Sequence, residues 1–186
     1  MCNNRIFEDI DDLITAVYRS RILNPWEEGP ERSAAYENLF REKFSDWPIR
    51  NQTDLVHGSA TVIAFLLHPG HYIGVTSSDG FKLLIKRLGG MCYHALLEIS
   101  HIGPYARIRF TRETIEDGTN GINYSEQNVP YRTEDWDFHL SLVDFLGDEG
   151  IEVLNDDVLS LPVPDVELDV TGIGEATVYH CLFDEE

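Results

Sequence analysis

The chain has no long hydrophobic run. Its longest uninterrupted aliphatic and aromatic stretch is Val62 to Leu67, whereas a membrane-spanning helix needs about 20 apolar residues, so no membrane role is expected. The opening residues Met-Cys-Asn-Asn-Arg lead quickly to Glu8 and Asp9, without the apolar core of a secretory signal. Cysteine is scarce. Cys2, Cys92 and Cys181 are odd in number, scattered, and form no CxxC pair, which reads as free thiols in a reducing cytoplasm.

Basic residues are nearly absent from the C-terminal half. Residues 1–112 hold 13 Lys+Arg against 13 Asp+Glu, whereas residues 113–186 hold only Arg132 against 20 Asp+Glu. The whole net charge of −19 therefore sits in the last 74 residues. Such a field repels nucleic-acid phosphates and anionic membrane, and attracts a basic partner.

Recognisable cofactor and catalytic motifs are missing too. Gly172-Ile173-Gly174 is a bare GxG, with no third glycine at dinucleotide spacing and no phosphate-loop lysine. Ser59 has no GxSxG context. The acidic stretch Glu116-Asp117-Gly118-Thr119-Asn120-Gly121 lacks the ligand spacing of a calcium loop. No cofactor is expected.

What is present suffices for one globular domain. The 186 residues are 42% hydrophobic and 11% aromatic, enough for a core without disulfides or metal. Residues 6–23 carry Ile6, Ile10, Leu13, Ile14, Val17 and Tyr18 on one helical face. Pro30 suits the first turn of a second helix, running to about Phe44, with Tyr36, Leu39, Phe40 and Phe44 as its apolar face. The short connection suggests an antiparallel pair. Residues 60–67 fit either a buried strand or a short buried helix. Tyr72 to Thr76 reads as a strand, and Ser77, Ser78 or Asp79 can cap a helix through Leu88 that Gly89-Gly90 stops.

Residues 92–100 and 105–111 predict a hairpin around Ile102-Gly103-Pro104. In its second strand Arg107 and Arg109 alternate with apolar residues, so one face is apolar and the other cationic. Residues 116–128 read as a loop. Thr133 can cap a helix from Glu134 to about Leu146 with Trp136, Leu140, Val143 and Leu146 as its stripe, ended by Gly147. Asp165, Glu167 and Asp169 alternate with Val166, Leu168 and Val170, as in a half-buried strand with an acidic outer face. Ala176 to Phe183 is apolar on both faces and reads as a covered strand. The expected fold is α+β: an N-terminal helical pair (residues 1–47), then a mainly antiparallel sheet with two further helices (residues 48–186), in a single domain.

Few side chains suggest chemistry. His68-x-x-His71 is the closest histidine pair. It could contribute to a metal site only with further ligands such as Cys92 or His94, which share a face only if their strand is regular; no metal is expected. Cys181 follows His180, but adjacent strand residues point to opposite faces, and the acidic surroundings disfavour a thiolate. Lys82, Lys86, Arg87, Arg107, Arg109 and Arg112 form a cationic set best explained by salt pairing with the acidic half. The reading these features favour is a non-enzymatic binding domain docking a basic protein through Asp165, Glu167, Asp169, Asp156 and Asp157, in the manner of an inhibitor or immunity protein for a basic toxin enzyme. The alternatives are a small cytosolic enzyme with a dispersed His/Arg site, or a regulatory or structural subunit.

Overall fold

The computed structural model describes residues 2–20, 29–54, 59–70, 78–115, 121–168, 171–172 and 174–183. The chain begins with α1 (Cys2–Ile14), continued by a π-helical turn (Thr15–Arg19), and then α2 (Gly29–Lys43). Strands β1 (Ile49–Asn51) and β2 (Ala60–Leu66) follow, then α3 (Ser78–Arg87). Next come β3 (Met91–Ser100), β4 (Tyr105–Ile115) and β5 (Ile122–Gln127). The C-terminal third holds α4 (Trp136–Asp148), β6 (Glu152–Val153), α5 (Asp156–Leu159) and α6 (Val178–Phe183). This is the expected α+β class, with a helical N-terminal part and a mainly antiparallel sheet.

The sheet order is β1-β2-β3-β4-β5, antiparallel throughout, and β6 joins β4 in parallel at Tyr105–Ala106. Residues 60–66 are strand, which settles their ambiguity. The hairpin forms where the turn chemistry places it. A Cβ on Gly103 would come within 2.5 Å of Leu13 Cδ2, so glycine lets α1 pack down on this turn.

Strand alternation divides the sheet into two unlike faces. On one, Ile63, Phe65, Ala95, Leu97, Ile99, Ala106, Ile108 and Phe110 pack against Phe40 and Phe44 of α2 and Phe138, Leu142, Phe145 and Leu146 of α4. Aromatic edges meet there: Phe40 and Phe65 centroids are 5.8 Å apart at 90°, and Phe44 and Phe138 are 5.6 Å apart. The other face carries two apolar clusters. Ile10, Ile14 and Val17 of the first helix join Ala60, Tyr105, residues of 154–168, and Val178, Cys181, Leu182 and Phe183 of α6. At the opposite end of the strands, Leu66 and Cys92 pack against Leu84 and Ile85 of α3. The two N-terminal helices thus serve separate cores.

Several local expectations change. Ala176–Phe183 is not a strand: α6 starts at Val178, where the His180 ring reaches back to cap Thr177. The Thr177 N–H donates to His180 Nδ1 at 3.1 Å, and Thr177 Oγ1 lies 2.9 Å from the same nitrogen. Residues 122–127 are an edge strand rather than loop. Asp165 lies in a turn and Glu167 in irregular chain, not in a strand, although Val166 and Leu168 are buried beneath them; Asp169 lies outside the described residues, as does the strand expected at 72–76. In α4 the buried residues are Phe138, Leu142, Phe145 and Leu146, while Trp136 and Leu140 are 40% and 55% exposed. Leu146 and Val143 of the expected stripe do pack on this core, whereas Phe138 and Leu142 take the places expected for Trp136 and Leu140. Two short helices, α5 and α6, add to the expected two.

The observed face of α4 has a direct test. Leu142→Ala should lower unfolding free energy by about 2–5 kcal/mol, as for a fully buried leucine. Leu140→Ala should change it by less than about 0.5 kcal/mol. Urea denaturation of both variants, with unchanged m-values, would check this; the reverse ranking would place the helix in the other phase.

Candidate functional site

Between the two apolar clusters, the second sheet face carries a charged strip. Glu98 and Arg107 are register partners, and Arg109 lies two residues further along β4. Arg109 binds Glu98 in a fork, Nε to Oε2 at 3.1 Å and Nη2 to Oε1 at 2.9 Å, while Arg107 Nη1 lies 3.6 Å from Oε2. Arg109 Nη1 also reaches Glu126 of β5 at 2.6 Å, which accepts a further hydrogen bond from the Tyr124 hydroxyl at 2.7 Å. Burial pushes the Glu98 carboxyl up, and the two guanidiniums pull it back. Arg107 stacks over Tyr179 of α6 at 4.9 Å. The alternating arginines of β4 are therefore on one face, as expected, and tied into ion pairs. Arg112 points the opposite way, over Tyr131 at 5.0 Å, and Lys82 pairs with Asp79 at 3.8 Å, so the cationic set does not form one patch.

The histidines are dispersed. His101 Nε2 lies 2.9 Å from Thr61 Oγ1. His139 sits between Phe110 and Trp136, with ring centroids 5.3 and 5.5 Å away, and its buried Nδ1 has no hydrogen-bond partner among the described residues. His180 caps α6. His68 tilts against Tyr93, 5.8 Å between centroids, in an open cleft with Trp47, Leu67, Pro69, Arg132, Glu134 and Asp135. Arg132 in that cleft is held by Asp135 Oδ1 at 2.6 Å and by the Leu67 carbonyl at 2.5 Å. His71 lies outside the described residues.

His94 is different. β3 is regular, so Cys92 and His94 share a face, and Cys92 is the register partner of Glu113. His94 Nδ1 lies 3.1 Å from Glu113 Oε2, and His94 Nε2 lies 3.9 Å from Cys92 Sγ. Thr111 Oγ1 donates to Glu113 Oε1 at 3.3 Å. The order thiol, imidazole, carboxylate resembles a nucleophile, base and orienting group. Cys92 is fully buried, however, and burial together with the Glu113 charge pushes its thiol up to about 12. A buried protonated thiol presents no nucleophile to a substrate.

The acidic candidates lie on the layer of residues 154–168. Leu154, Val158, Leu159, Val163, Val166 and Leu168 are buried, while Asp156, Asp157, Asp165 and Glu167 are exposed. Asn155 caps α5 by accepting the Val158 N–H at 3.0 Å. Among the described residues two cations pair with this layer: Arg107 Nη2 is 3.8 Å from Asp156, and Arg19 Nη2 is 4.0 Å from Asp165. Asn128 also donates to Asp156. Among the described residues no helix is long and apolar enough to cross a membrane. Comparisons with protein-family models, curated proteins and solved structures gave no match to this chain.

Two outcomes follow from burial. Cys92 and Cys181 are both fully buried, and burial pushes both thiols up to about 12. Both should react with a thiol reagent in the native state far more slowly than in denaturant, which timed labelling and mass spectrometry of the peptides would measure. Burial also pushes His101 and His139 down, so the fold prefers them neutral. The unfolded chain takes up their protons below about pH 6.5. Their contribution is therefore complete above that pH and declines as pH falls toward the folded-state values. His139→Leu should lose less thermal stability than wild type between pH 7.5 and pH 5.5, as read by the two melting temperatures.

Proposed function

We propose that the chain is a non-enzymatic binding domain whose acidic C-terminal layer docks a basic protein. The observation that carries this reading is the one-sided chemistry of residues 154–168. Their apolar side chains turn inward onto α1 and α6, and Asp156, Asp157, Asp165 and Glu167 turn outward. No Lys or Arg follows Arg132 anywhere in the sequence, so nothing later in the chain neutralises this layer. On the sheet, Arg109 is held by Glu98, and Arg107 is shared between Glu98 and Asp156, so Asp157, Asp165 and Glu167 are not neutralised from there.

An acidic surface of this kind accelerates encounter with a basic partner and excludes acidic ones. The particular version we favour is an inhibitor or immunity protein for a cationic toxin enzyme, acting in a reducing cytoplasm. The same field disfavours nucleic acid as the ligand.

The test begins with capture of a partner from the native host at low ionic strength, followed by association kinetics across a salt series. Replacing Asp156, Asp157 and Asp165 by Asn and Glu167 by Gln keeps side-chain shape while removing four charges. The on-rate should fall about tenfold or more and its salt dependence should flatten, with the circular dichroism spectrum unchanged. Failure to recover any partner at low salt, or binding indifferent to these charges, would refute the docking role.

A further inference from the structure

We propose that Cys92, His94 and Glu113 form a binding site for a divalent, borderline-soft cation of the zinc type. All three project from the two central strands onto one face. Cys92 stands opposite Glu113, and His94 follows two residues later. No loop has to be ordered to assemble them. One donor atom from each residue lies within 4.8 Å of the others. Bonds of about 2.0–2.3 Å to a tetrahedral zinc place its donors roughly 3.3–3.6 Å apart, so small side-chain rotations would gather the set. In the structure the His94 ring bridges the thiol and the carboxylate, and an ion would take the place of that bridging contact.

Burial and charge favour the same assignment. The cluster lies beneath α3, with the Phe81 ring 6.1 Å from the His94 ring and Leu84 and Ile85 alongside Cys92. Glu113 has a side-chain exposure of 12%. The other well-buried carboxylates each have a guanidinium: Glu98 has Arg107 and Arg109, and Asp135 has Arg132. Among the described residues Glu113 has only an imidazole and a hydroxyl. A thiolate and a carboxylate together carry the charge that a divalent ion neutralises, and a mixed sulfur, nitrogen and oxygen set selects zinc-like ions over calcium or magnesium. Binding would release the Cys92 thiol proton to solvent, so affinity should rise with pH. Three protein donors leave one tetrahedral position for water or another ligand.

Cobalt(II) serves as the probe. Chelator-treated, reduced full-length protein should bind one equivalent with a thiolate-to-cobalt charge-transfer band in the near ultraviolet, and one equivalent of zinc should abolish that band. Cys92→Ser should lose the band, whereas Cys181→Ser should retain it. Glu113→Gln, nearly isosteric, should weaken cobalt affinity at least tenfold while circular dichroism stays native. If Cys92→Ser fails to fold, wild type and Glu113→Gln decide the matter. Absence of a thiolate band in wild type, its persistence in folded Cys92→Ser, or unchanged affinity in Glu113→Gln would overturn the assignment.

Discussion

β3 and β4 are paired over nine positions from Met91↔Thr114 to Ile99↔Ala106, and everything else in the molecule is arranged around that register. Side chains alternate between faces, so a slip of β4 by one residue would exchange the two faces of that strand. Arg107, Arg109 and Glu113 would then enter the aromatic layer beneath α2 and α4. Unpaired charges in such a layer are strongly unfavourable. The ion-pair strip therefore bears on the pairing more than on net stability, since the attraction within a buried pair is largely offset by the cost of desolvating it. The aromatic contacts of Phe40, Phe44, Phe65, Phe138 and Phe145 supply the stabilising side of the same alternation.

Much of this was legible in the amino-acid order because turn chemistry and alternation agree. The hairpin shows in Ile102-Gly103-Pro104 and in the arginines spaced two apart. The helices expected over residues 6–23, from Pro30 to about Phe44 and through Leu88 show in their period, and the last also in its Gly89-Gly90 stop; the described part of the first is helical to Arg19. What could not be read has identifiable causes. In residues 136–146 apolar side chains occur on more than one helical stripe, so Trp136 and Leu140 compete with Phe138 and Leu142, and only the sheet beneath chooses between them. In residues 176–183 apolar side chains fall on both strand faces and all round a helix, which erases the period. The remaining signal was the Thr177-x-x-His180 cap. Residues 122–127 are polar on both sides because they form an edge strand, and polarity imitates a loop.

The clustered polar residues show the same division. Cys92 and His94 lie two apart, so a regular strand was enough to place them together. Glu113 joins them only through the hairpin register, which depends on the length of the turn as well as on the strands. The distances among thiol, imidazole and carboxylate are tertiary facts. The acidic layer was visible as composition, and its outward orientation follows from the buried aliphatic residues between the acids. The strand assigned to Asp165 and Glu167 was incorrect, yet their exposure is as alternation suggested, because buried Val166 and Leu168 impose the same sidedness on irregular chain.

One of the three apolar clusters is far smaller than the other two, and this gives the molecule a region that opens before the rest. The cluster beneath α3 is the smallest, with Leu66, Leu84, Ile85 and Cys92 as its buried members among the described residues. α3 is short, ends at a left-handed Gly89 with φ 83°, and exposes Leu83. Segments with little buried apolar area detach at lower free energy than the global transition. Amides of α3 should accordingly exchange with solvent before those of β3 and β4. Access to the thiol, imidazole and carboxylate beneath it is then a gated process, its rate governed by how often the helix lifts rather than by diffusion to an open surface.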